Sequence, residues 1–65
     1  MGIVSLAKDV RPGDTVHVRR GDSFPLEART VKRVEILAHT VRFWFGGHAT
    51  AVMHPYEVLG VERAD

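Results

Sequence analysis

Arg11-Pro12-Gly13-Asp14-Thr15-Val16-His17-Val18 is the stretch on which the fold turns. Pro12 presets φ for the second position of a tight turn, and Gly13 supplies the positive φ that a type II turn needs at the third. Strict alternation follows at once. Val16 and Val18 share one face, and Thr15, His17 and Arg19 share the other. A tight turn that runs straight into a half-buried strand predicts a small β-sheet.

Working outward, the same reading predicts five strands. Thr15–Arg19 is the first, closed by the loop signals Gly21-Asp22-Ser23 and Pro25. The second spans 28–38, where the two positions between Val31 and Val34 break the alternation as a β-bulge would, bending the strand. The third covers 40–45, with Val41, Phe43 and Phe45 on one face and Thr40, Arg42 and Trp44 on the other. Gly46-Gly47 reads as a type I′ hairpin loop leading into a fourth strand at 48–53. Pro55 ends that strand, His54–Glu57 forms a short helical turn, and 58–62 is the last strand. Residues 3–10 read as a lead-in anchored by Leu6 and Val10. No window shows sustained 3.6-residue periodicity, so a helical bundle is excluded.

With 65 residues the chain forms one domain, residues 1–65, and is too short for two separate sheets with cores of their own. The economical arrangement is an all-β, five-stranded sheet, strongly bent and partly closed on itself as an open barrel. Its expected core is Val10, Val16, Val18, Val31, Val34, Ile36, Val41, Phe43, Phe45, Val52 and Val58. Without a cysteine there is no disulfide or thiolate chemistry, which fits a reducing cytoplasm. No apolar run reaches the ~18 residues of a membrane span, and the first residues lack the pattern of a signal peptide.

The segment from Val10 to Gly47 resembles the SH3-like small-barrel superfamily in its KOW/Tudor-like form. The likeness rests on Val10, the Gly13-Asp14 turn, the alternating valines, Gly21, and Thr30-Val31-Lys32-Arg33-Val34-Glu35. It continues through the valine–aromatic strand and the glycine turn. The short helical turn before the last strand also stands where such barrels carry one. The chain departs from the KOW motif at Glu27-Ala28-Arg29, where that motif has a glycine. Its arginine- and valine-rich style is similar to small proteins of high-GC bacteria and their phages. The resemblance implies a non-enzymatic module that contacts RNA, DNA or peptides through loops and an exposed sheet face.

Catalytic and metal chemistry find little footing. His48 and His54 stand ~20 Å apart along an extended strand at ~3.3 Å per residue, too far to share an ion. Ser5 and Ser23 have no base placed beside them, and no glycine run opens a helix to cradle a phosphate. The reading therefore assigns no catalytic residue, metal or cofactor. The charges point elsewhere. Net charge is only +1, yet Arg19, Arg20, Arg29, Lys32, Arg33 and Arg42 precede an acidic end at Glu57, Glu62 and Asp65. Alternation sets Trp44 outward beside Arg42, where an indole can stack on a base; the opposing reading buries it under Phe24, Leu26 or Tyr56. Nucleic acid is the leading expected partner, contacted by Arg19, Arg20, Arg29, Lys32, Arg33, Arg42 and Trp44. The competing partner is a protein, such as a host protein modulated by a phage product, or a second copy pairing along an exposed edge strand.

Overall fold

The computed structural model describes residues 2–19 and 22–63. The architecture is all-β, with two antiparallel sheets and one 3-10 turn (Ala7–Asp9) among the described residues. Seven strands form where five were expected: β1 (Gly2–Leu6), β2 (Thr15–Arg19), β3 (Leu26–Thr30), β4 (Arg33–Ile36), β5 (Val41–Gly46), β6 (Ala49–Met53) and β7 (Val58–Glu62). One sheet has the order β1-β7-β2-β3 and the other β4-β5-β6.

The Pro-Gly-Asp turn forms as read. Asp14 N–H donates to Arg11 C=O at 3.1 Å, and Gly13 sits at φ +97°. The turn is stitched to the rest of the fold as well. Gly13 N–H donates to Val31 C=O and Val31 N–H to Asp14 C=O, each at 2.8 Å. Nothing lies within 4 Å of where a Gly13 Cβ would stand, so an added methyl costs only backbone strain. Gly13→Ala should therefore destabilise the domain by ~1–2 kcal/mol. At roughly 4–8 °C per kcal/mol for a domain this small, the melting midpoint drops by several degrees, measurable by circular dichroism. Gly13→Asn, which tolerates positive φ better, should recover part of the loss.

Asp14 does more than close the turn. Its carboxylate is buried (3% exposed) and accepts from Arg11 N–H at 3.0 Å and from Arg63 Nη2 at 2.9 Å. Arg63 Nε donates to both carboxylate oxygens, at 3.1 and 3.2 Å. The hydrogen bond from Arg63 holds the Asp14 carboxyl below its ordinary value, against the opposing effect of burial, and it raises the pKa of Arg63 in return. Residues 49 apart in sequence thus fasten the start of β2 to the chain after β7.

The expected bulged strand is two strands in two sheets. β3 pairs with β2, from Thr15↔Thr30 to Arg19↔Leu26, whereas β4 pairs with β5, from Arg33↔Trp44 to Ile36↔Val41. The switch occurs at Val31, fully buried and bonded to the Pro-Gly-Asp turn, and at Lys32, whose N–H donates to Trp44 C=O at 2.7 Å. The break in alternation marks a corner between sheets. The irregularity in register lies instead between Trp44 and Gly46. The hairpin loop is Gly47-His48, one residue later than read, with positive φ at Gly46 and Gly47.

The lead-in is a full strand, paired with β7 from Gly2↔Glu62 to Leu6↔Val58. The 3-10 turn follows it, and no helical turn stands before β7. There His54–Glu57 is a tight turn, with Glu57 N–H donating to His54 C=O at 3.0 Å. Backbone bonds from Ala7 N–H to Glu57 C=O and from Lys8 N–H to Pro55 C=O tie the two turns together.

Among the described residues eight apolar side chains are buried: Ala7, Val10, Val16, Val31, Val41, Phe43, Leu59 and Val61. Val18, Val34 and Phe45 pack against them half-buried, together with Ile3 and Met53. Ile36, Val52 and Val58 were expected inside and are exposed (66%, 50% and 61%). Strand parity explains the correction for two of them. β7 turns Leu59 and Val61 inward, which sends Val58 out; β6 turns Ala51 and Met53 inward, which sends Val52 out.

Candidate nucleic-acid interface

The outer face of the β4-β5-β6 sheet carries the candidate site. Because Val41 and Phe43 fill the core, Arg42 and Trp44 project from the opposite side of β5. The short connection between β4 and β5 fixes the register, setting Arg33 directly across from Trp44 and Glu35 across from Arg42. The Arg33 guanidinium lies 4.7 Å from the Trp44 ring centroid, and that of Arg42 lies 5.6 Å away. Both distances are within reach of a cation–π contact.

Trp44 is half-buried, and its ring is flanked by two arginines. Phe24, Leu26 and Tyr56, the residues expected to cover it in the opposing reading, are themselves exposed. The indole Nε1–H is buried with no hydrogen-bond acceptor. The two guanidiniums make this spot electropositive. Its nearby acid is Glu35, which pairs with Arg42 at 3.6 Å. Arg33 and Lys32 make no ion pair among the described residues. Lys32 is exposed at the same end of the sheet, its N–H on Trp44 C=O.

The structure divides the seven predicted residues. Arg33, Arg42 and Trp44 come together, and Lys32 is joined to them through its backbone N–H on Trp44 C=O. Arg29 does not join them: it lies beyond the Val31 corner, pairs with Glu27 at 3.4 Å and sits 5.2 Å over the Phe45 ring. Arg19 and Arg29 both line a small cavity of about 90 Å³ at the mouth between the two sheets. Arg20 lies outside the described residues.

Sequence reasoning missed a larger feature. Beside β6, a groove of about 600 Å³ opens where β2 and β7 part company. Those strands pair only at Thr15↔Glu62 and Val16↔Val61. His17 still packs against Gly60, its ring 3.5 Å from where a Cβ would stand, but Val18 and Arg19 have separated from β7. The readable signal was a surplus of apolar residues, since Val52 and Val58 were assigned to a core that has no room for them. The histidines are dispersed: His54 Nδ1 accepts from Tyr56 N–H at 3.1 Å, and the described residues hold no group of three metal-ligating side chains. Compared with protein-family models, with curated proteins and with solved structures, the chain matches none.

Proposed function

We propose that this chain is a non-enzymatic module that binds single-stranded nucleic acid on the outer face of β4 and β5. The observation that carries the reading is the placement of the Arg33 and Arg42 guanidiniums over the Trp44 ring. The indole orients both guanidiniums; the fork of Arg33 is open to a phosphate, whereas that of Arg42 is shared with Glu35, and together they present a cationic surface to an unpaired base. Lys32 adds a third cation at the edge of the patch. The sharp corner at Val31 and the packing of both sheets on one core favour a strongly bent, partly open SH3-like barrel, a type of domain that uses such faces for binding.

Three phosphate contacts on a single strand, at about −0.7 each, should give a log–log salt slope near −2. Arg33→Ala should weaken binding and lower that slope by about 0.7. Trp44→Leu should weaken binding about 5- to 150-fold through lost stacking, with the slope unchanged. Fluorescence anisotropy of a labelled oligonucleotide across a salt series measures both. If the chain does not retain the oligonucleotide at ~50 mM salt, the reading is wrong.

A further inference from the structure

The groove beside β6 is a second surface, and it adjoins the Trp44 face at Val52, which stands across from Arg42. Its rim is apolar and open to solvent, with Leu26, Val52 and Val58 each at least half exposed. Patches of this kind on small domains mark interfaces. The charges narrow the partner. Arg19 contributes from the β2 side and Glu57 from the β7 side, and neither makes an ion pair among the described residues. β6, which runs along the groove, is the edge of its sheet and has a strand partner on one side only. One unpartnered cation and one unpartnered anion on opposite flanks of an apolar strip make the surface complementary to itself.

We propose that the groove is the interface of a two-fold dimer of this chain. A two-fold axis through the strip packs Val52 and Val58 of one copy against those of the other. It also brings each Arg19 to the partner copy's Glu57, satisfying four charges with two identical contacts. A standard interface covers about 800 Å² per partner, and the chain exposes 4494 Å² in all. Such a contact takes close to a fifth of that surface.

Sedimentation equilibrium of the full chain, free of nucleic acid, tests this. The expected result is a monomer–dimer equilibrium that shifts across the micromolar range. Val52→Asp, at an outward-facing position, should leave the fold intact by circular dichroism and abolish the dimer. Arg19→Glu and Glu57→Arg should each raise the dissociation constant about tenfold or more, because like charges then meet at both symmetric contacts. The doubly exchanged chain should recover dimerisation to within a few-fold of the original. A chain that stays monomeric at several hundred micromolar overturns the proposal. Failure of the double exchange to restore the dimer overturns the Arg19–Glu57 pairing.

Discussion

Phe43→Ala should leave the chain predominantly unfolded at 25 °C. Phe43 is fully buried at the centre of the β4-β5-β6 sheet, with Val34 opposite on one side and Ala51 on the other. Its ring also meets that of Phe45, centroids 6.4 Å apart. Truncating a buried phenylalanine costs about 3–5 kcal/mol in lost burial and cavity formation. A core of this size supplies roughly the same amount in net stability, and no disulfide is present to compensate. The substitution therefore takes all that the fold has. Loss of the β signal in circular dichroism, with collapse of proton NMR dispersion, is the expected readout. Phe43→Leu keeps most of the volume and should remain folded, with a loss under ~1.5 kcal/mol. A folded Phe43→Ala chain melting within a few degrees of the original would contradict the assignment of the core.

Asp14→Ala should have the next largest effect. The Asp14 carboxylate is buried and holds hydrogen bonds from Arg63 and from Arg11 N–H. Hydrogen bonds to a charged group are worth about 1.5–3 kcal/mol. A loss of ~2 kcal/mol should lower the melting midpoint by roughly 8–16 °C. The effect also has a signature in pH. Because Arg63 depresses the carboxyl below its ordinary 3.8, the unfolded chain binds the proton more readily than the folded one. The stabilisation is complete about a pH unit above that ordinary value and is lost progressively as pH falls through it and through the depressed native value. Asp14→Asn keeps the shape but removes the charge, so its stability should lack this acid-sensitive component. Parallel thermal melts from pH 7 to pH 2 separate the two chains. Identical acid profiles for the original chain and Asp14→Asn would contradict the ion pair.

The parts of the fold that local chemistry dictates were legible in the residues. Pro12 and Gly13 specify a turn by their own backbone preferences, and the alternation in Val16–Val18 and Val41–Phe45 specifies strands with defined faces. The same parity put Trp44 beside Arg42 on the outer side of β5, which is where they stand. What escaped was whatever depends on distant partners. β1 is recognisable only through β7, more than fifty residues away, and the Asp14–Arg63 pair spans 49 positions. In Val58-Leu59-Gly60-Val61 the two valines fall on opposite parities. Only pairing with β1 and β2 decides which of them faces in. The Val31 corner explains why the basic group divides. Arg29 and Arg33 look like neighbours in sequence, but a switch of sheets between them sends Arg29 to Phe45 and Arg33 to Trp44.

Trp44 is the sole tryptophan, so its emission reports directly on the proposed face. The most direct test is to titrate a short single-stranded oligonucleotide into the chain at ~50 mM salt while following that emission. The account predicts saturable quenching that weakens steeply as salt is raised and disappears in the Arg33→Ala, Arg42→Ala double variant. Emission that stays unchanged throughout the titration, with the chain folded, would contradict it.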